Sequence, residues 1–314
     1  VSLNIPVVLA QQDAWLVCPQ RHYWHSSSKL CEGPTTLEKC RDCLATHEPS
    51  LQKPAILAKL QELLQLRKTL IFSTLAEVDA ITTPSTFISR EKKIHGLKAY
   101  KRFKEPLGAL FQCKQVRLPS AERVRFGFIG SLEKADGLDL LVGAFRELQS
   151  PRAELHLFLD GSMINESIPH DLRASENIFV KTDWHFEALE QLLANIDVLV
   201  FPSQAAIHAG LITTVQALFK LVIASALPPY REQVLFGVHG LLFEPGQRVD
   251  LKNCLRYFTE EPSRVRSMQQ CLPSVRSVSE DGQRLVNLYE HLAHKREPEI
   301  LGPARRYPRV KIDA

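Results

Sequence analysis

No apolar run in this 314-residue chain approaches the roughly 18 residues a membrane-crossing helix needs. The longest, such as 196–202, have the length of strands. The first residues, Val-Ser-Leu-Asn-Ile-Pro, lack the basic flank and the apolar stretch of an export signal. Internal repeats and low-complexity segments are missing as well, which excludes repeat arrays and biased linkers. Cysteine is present but odd in number, seven, with one Cys-x-x-Cys pair. Together with the missing export signal this points to a reducing compartment. The expectation is a cytoplasmic protein.

What is present is ordinary for a globular protein: 45% hydrophobic and 24% charged residues. A chain of this length exceeds what one compact core usually holds, so two domains are expected. Charge is unevenly spread. Residues 1–120 hold 17 Lys and Arg against 10 Asp and Glu, and the remainder 22 against 25. Most of the excess lies in Arg90, Lys92, Lys93, Lys98, Lys101, Arg102, Lys104, Lys114 and Arg117, among only two acidic residues. Such a stretch is either a solvated helix face or a contact for an anionic membrane or phosphorylated ligand. It interleaves only Tyr100, Phe103 and Phe111 and carries no nucleic-acid motif, so nucleic acid is not expected as a partner.

Short apolar runs alternate with amphipathic segments, the signature of an α/β sheet fold. Residues 5–10 read as a buried strand, and 54–67 as a helix with an apolar stripe of Ile56, Leu57, Leu60, Leu63, Leu64 and Leu66. Residues 78–83 and 116–119 read as strands, Pro84-Ser85 as the opening of a helix, and 120–123 as a hinge. Beyond it, strands are expected at 124–129, 155–159, 178–181, 197–201, 221–224 and 240–243. Helices are expected at 138–148, 186–195 and 212–219. Gly, Ser or Asp stands at strand C-termini, where doubly wound sheets hold ligands. The tail after about Lys295, rich in Pro and Arg, reads as extended or disordered. The expected division is 1–120, 121–290 and a tail, 291–314.

Three blocks carry a family resemblance: Arg125-Phe126-Gly127-Phe128-Ile129-Gly130-Ser131-Leu132, the run from Asp197 through Val-Leu-Val-Phe to Pro202-Ser203, and the run from Gly237 through Val-His-Gly-Leu-Leu-Phe-Glu to Pro245-Gly246. Their order and spacing resemble the nucleotide-sugar domain of family-4 (group 1) retaining glycosyltransferases from residue 124 to about 268. Upstream, Gln12-Asp13-Ala14-Trp15-Leu16-Val17-Cys18-Pro19 resembles a His-Asp-x-Trp-x-x-Cys-Pro block of one bacterial branch. The resemblance implies a GT-B-like fold of two Rossmann-like domains, with the N-terminal one incomplete because the family's Gly-rich opening is missing. An incomplete sheet implies an edge or face that a protein partner would cover.

By the same resemblance, the donor is a UDP- or GDP-hexose and the acceptor a sugar, lipid-linked or polysaccharide. Departure of a nucleotide diphosphate without a metal needs cations and a helix N-terminus. The family's Arg and Lys fall on Ser131 and Asp136 here, with Lys134 as a nearby substitute. Its two Glu residues, eight apart, fall on His208 and Gln216. The acceptor-side His falls on Gln12. Gly130, Gly210 and Glu232 complete the implied donor-binding set. Scaffold motifs thus survive where chemical residues do not, as in a pseudoenzyme or a protein with divergent donor chemistry. No catalytic cofactor is implied.

Cys18, Cys31, Cys40 and Cys43 are spaced C-x12-C-x8-C-x2-C. That spacing suits a structural zinc site, with free core thiols or disulfides as the alternatives. Cys113, Cys254 and Cys271 stand alone and read as core residues.

Overall fold

The computed structural model describes residues 5–21, 23, 31, 36–89, 101–104, 109, 122–159, 172, 175–185, 188–205 and 209–296. The first half builds a three-stranded parallel sheet in the order β1-β2-β3, from β1 (Val8–Ala10), β2 (Ala80–Thr83) and β3 (Lys101–Lys104). Val8 pairs with Ala80, and Ala80 with Lys101. β1 is shorter than the pattern 5–10 suggested and is not buried: Ile5 and Val7 are 59% and 41% exposed. Among the described residues it has a partner on one side only.

Between β1 and β2 run α1 (Leu37–His47), a 3-10 turn (Pro49–Gln52) and α2 (Pro54–Ala76). Thr36 caps α1 by accepting the Lys39 N–H at 3.3 Å. Pro54 opens α2, at a position whose N–H has no intrahelical partner in any case. α2 runs nine residues past the expected end, and its apolar stripe does not face a core. Only Leu64 and Leu75 are buried, while Ile56, Leu63, Leu66 and Leu70 are exposed. α3 (Thr86–Ser89) follows β2 after Pro84 and Ser85.

The second sheet has six parallel strands: β4 (Val124–Gly130), β5 (Ala153–Leu159), β6 (Ile178–Lys181), β7 (Val198–Phe201), β8 (Leu221–Ser225) and β9 (Gly240–Phe243). Their order is β6-β5-β4-β7-β8-β9, so the chain winds outward from β4, returns, and winds out the other way. This is a doubly wound arrangement with its switch between β4 and β7. The strands expected from the sequence lie within two residues of these. The helices are α4 (Leu138–Leu148), α5 (Leu189–Leu193), α6 (Ala209–Ala217), α7 (Pro228–Arg231), α8 (Arg248–Glu260), α9 (Ser263–Gln269) and α10 (Val278–Arg296). α5 is shorter than the 186–195 pattern, and α6 begins three residues before Ile212. The expected strand at 116–119 and the tail beyond 296 lie outside the described residues.

Side-chain alternation explains why both faces are covered. Phe126, Phe128, Leu155, Leu157, Val198, Val200 and Ile223 pack with α4, α8 and α9 on one face. Phe158, Leu199, Phe201, Val222 and Ala224 pack with α5, α6 and Tyr230 of α7 on the other. Both sets are buried, as a parallel sheet with helices on each side requires. Gly127 leaves room for that second layer: a Cβ there would meet Leu199 Cδ1 at 2.7 Å. At about 1.5–3 kcal/mol per fully buried large apolar side chain, these two layers dominate the folding energy. The two halves also touch through backbone, where the Ala109 N–H donates to Arg276 O at 2.8 Å, just ahead of α10.

Candidate functional site

In doubly wound sheets the ligand crevice forms at the C-terminal ends of the strands that flank the switch, here β4 and β7, bounded by the turns that follow each strand. β4 ends on Gly130, and after it come Ser131 and a 3-10 turn at Lys134–Asp136, which delivers Gly137 to the start of α4. Gly137 adopts φ +78°, and a Cβ on it would lie 2.2 Å from the Pro202 carbonyl oxygen. A side chain is therefore excluded twice, by conformation and by contact. The Gln204 N–H donates to Ala135 O at 2.9 Å, which ties the two turns together. Ser225, at the end of β8, donates its hydroxyl to Ser203 O.

Asp136 is buried within this loop. Its Oδ2 accepts the Ser131 N–H at 2.7 Å and the Ser131 hydroxyl at 2.8 Å. The same oxygen would lie 3.2 Å from a Cβ on Gly130. Ser131 and Asp136, read from the sequence as separate donor positions, are thus one hydrogen-bonded unit that closes the turn after β4. Lys134 is exposed on the adjoining 3-10 turn.

Gly210 lies in the first turn of α6, on the crevice side of the sheet because α6 follows β7. His208 lies outside the described residues. Gln216 is buried near the other end of α6. Its amide donates to Gln233 O at 3.1 Å and lies 3.5 Å from His239 Nδ1. Burial holds His239 below the usual histidine range.

Glu232 caps α7 and reaches into the other half of the molecule. One carboxylate oxygen accepts the Thr86 N–H at 2.8 Å, and the other accepts the Phe87 N–H at 2.8 Å and the Thr86 hydroxyl. Both oxygens are therefore engaged at the N-terminus of α3. Sequence reasoning did not find Thr86 as a partner. A threonine after Pro-Ser signals a helix start, but nothing local points to a carboxylate 146 residues away.

Gln12 is exposed just past β1. Its neighbour Asp13 is structural, accepting the Trp15 N–H at 2.8 Å and pairing with Arg21 at 3.0 Å. Cys18 is packed with Ala14 and Tyr23, and Cys31 lies against them. Cys40 and Cys43 sit one turn apart on α1. Burial and then the neighbouring thiols push Cys40 up to about 12, and burial raises Cys18. Cys254, raised to about 12 by burial, and exposed Cys271 lie elsewhere, and Cys113 lies outside the described residues. So does the basic stretch, apart from the backbone of β3 and Ala109.

Two further features lie off the crevice. On β4 and β5, Glu154 bonds Arg123 at 2.9 Å and Arg125 at 3.3 Å, with His156 3.7 Å away and stacked on Phe179. Burial lowers His156 below the usual histidine range, overriding the attraction of Glu154. Burial alone would raise Glu154, but its Arg123 hydrogen bond and the Arg125 charge hold it low. A cavity of about 570 Å³ lies along edge strand β9, lined by Arg231, Leu242, Asn253 and Tyr257 among others. It is three strands from β4 and does not belong to the switch crevice. No helix among the described residues is long and apolar enough to cross a membrane.

A doubly wound six-stranded sheet joined to a second parallel sheet defines an α/β protein of Rossmann-like architecture. Residues 123–260 match the family described as glycosyl transferases group 1. The fold is that of the GT-B glycosyltransferases. Sucrose-phosphate synthase from Thermosynechococcus elongatus shares it with a TM-score of 0.62 and 18% identity, over 74% of this chain and 62% of that one. A glycosyltransferase from Rickettsia africae matches with a TM-score of 0.57 and 13% identity, over 83% and 82%. Anabaena HepE, solved with UDP and glucose, matches with a TM-score of 0.55 and 14% identity, over 72% and 67%. The chain thus spans less than two thirds of the sucrose-phosphate synthase. No curated protein matches it in sequence.

Proposed function

We propose that this chain binds a UDP- or GDP-hexose in the crevice between the β4 and β7 turns, and that it transfers the hexose slowly or not at all. The architecture supports docking: small residues at the strand ends, Gly130 and Ser131 after β4, and the N-terminal turn of α6 with Gly210 facing the crevice. The natural acceptor is a sugar, lipid-linked or polysaccharide, which meets the donor from the side of the first sheet. The basic residues at 90–117 favour an anionic membrane surface for such an acceptor, on the cytoplasmic side.

The observation that carries the proposal is Asp136. Where the family resemblance puts a cation for the departing diphosphate, a buried carboxylate is bonded to Ser131. Negative charge developing on the phosphates is then unrelieved there. Loss of one such stabilising contact costs about 2.7–4 kcal/mol of barrier, or roughly 100- to 1000-fold in rate. Exposed Lys134 stands near the turn without replacing a fixed, desolvated donor.

Calorimetric titration of the full chain with UDP- and GDP-hexoses, alongside diphosphate release, tests this. Weak saturable binding is expected, with release at least about 100-fold slower than in a group 1 enzyme that keeps the cation. Turnover on a par with that enzyme refutes the assignment of Asp136. Absence of any binding refutes the crevice as a nucleotide site. The second reading, a silent partner protein, would then gain from the exposed Leu63, Leu66 and Leu70 on α2.

A further inference from the structure

We propose that Cys18, Cys31, Cys40 and Cys43 form a tetrahedral zinc site, and that Arg67 of α2 is its charge-balancing partner. The chain approaches this arrangement from two sides. The turn at 14–21 is closed by Ala14 N–H to Arg21 O at 2.9 Å and Arg21 N–H to Cys18 O at 2.8 Å. Cys31 is brought beside it by its N–H bond to Tyr23 O at 2.6 Å. From the other side, α1 presents Cys40 and Cys43 three residues apart, on neighbouring positions of one helix face. The four sulfurs lie within electrostatic reach of one another, and none is in a disulfide.

Two further details bear on the site. The backbone N–H groups of Gln20 and Tyr23 hydrogen-bond to the Cys18 sulfur and hold it in place at the end of the turn. Arg67 lies over the Trp15 ring, 4.9 Å from its centre, and donates to the Trp15 carbonyl. The thiols of Cys18 and Cys40 lie within electrostatic reach of it. When Zn²⁺ enters, four S–H protons leave and four S–Zn bonds form, so the site carries two net negative charges and Arg67 offsets one. Among the described residues no three ligating side chains already converge on a point. The thiols therefore turn inward as the ion binds.

The test uses the full chain, purified under reducing conditions without chelator. About one zinc per chain is expected, with the four thiols protected from alkylation until the metal is stripped, while exposed Cys271 labels at once. Cobalt exchanged into the site should give thiolate charge-transfer bands and tetrahedral d–d bands. Arg67→Gln should bind zinc on the order of 10- to 100-fold more weakly, and Arg67→Lys should recover most of that loss. Full native alkylation of all four thiols with metal far below one equivalent overturns the site. So does a mass showing two disulfides. Unchanged affinity in Arg67→Gln overturns the role of the arginine.

Discussion

Replacing Asp136 by lysine, the change that would bring the family's cation back, should damage this protein rather than repair it. Asp136 Oδ2 accepts two hydrogen bonds from Ser131, at 2.7 and 2.8 Å, in a buried turn. Hydrogen bonds to a charged group contribute about 1.5–3 kcal/mol each, so losing both removes roughly 3 kcal/mol or more. A lysine in that space is also a donor facing donors. It must either bury an ammonium beside the Ser131 N–H or swing outward and leave that N–H unpaired. Asp136→Asn keeps an acceptor oxygen and should cost only about 1 kcal/mol. Urea unfolding of the full chain, followed by fluorescence, should place Asp136→Lys well below Asp136→Asn, and Asp136→Asn slightly below the parent. UDP-hexose titration should show no tighter binding in Asp136→Lys. An unchanged midpoint together with tighter binding would falsify the closed-turn reading, because it would mean that residue 136 already faces the phosphates.

Three more outcomes follow from the geometry. Glu232→Ala removes three acceptor contacts at the start of α3 and should lower stability by about 1–2 kcal/mol, read as an earlier thermal transition. Gly137→Ala and Gly246→Ala both place a side chain at positive φ, +78° and +77°, at about 1–2 kcal/mol. Only Gly137 also meets Pro202, so it should cost clearly more; equal urea midpoints would rule out the contact between the β4 and β7 turns. His156 titrates below its ordinary 6.5 when folded, so the unfolded chain holds the extra proton. Stability should therefore fall as pH drops through 6.5, and further below 4.5 as Glu154, also held low, is protonated. His156→Gln should reduce the first decline, leaving the part contributed by His239, which burial also holds low, and keep the second.

The doubly wound half was legible because its signals are local and repeated. Val124, Phe126 and Phe128 are buried on one face, and on the other Gly127 is buried and Ile129 half-buried, so the run reads as a strand whichever face is inspected. The first half was less legible. Residues 5–10 are as apolar as a core strand, yet only Val8–Ala10 pair and Ile5 stays exposed. The leucines of α2 have a helical period, but period fixes which residues share a face and not what that face meets. A core is a relation between elements distant in sequence, and none of it is written into the stripe itself.

The same distinction governs the candidate site. A motif position says which residue stands where a family keeps a functional group; it does not say where that residue's atoms are engaged. Asp136 reads as a reversed charge and Ser131 as a variant position beside it, yet together they build a closed turn. Glu232 reads as a donor contact, yet both of its oxygens hold α3. Gln216 reads as a substitute for a ribose-binding carboxylate, yet its amide is directed at Gln233 O. In each case the side chain has a partner of its own within the fold, so changing it alone leaves that partner unsatisfied. A buried donor without its acceptor costs about 1–3 kcal/mol. Recovery of a family-like donor site in this chain therefore requires changing pairs, Asp136 with Ser131 and Gln216 with the 232–239 connection. Single reversions should lose stability before they gain chemistry.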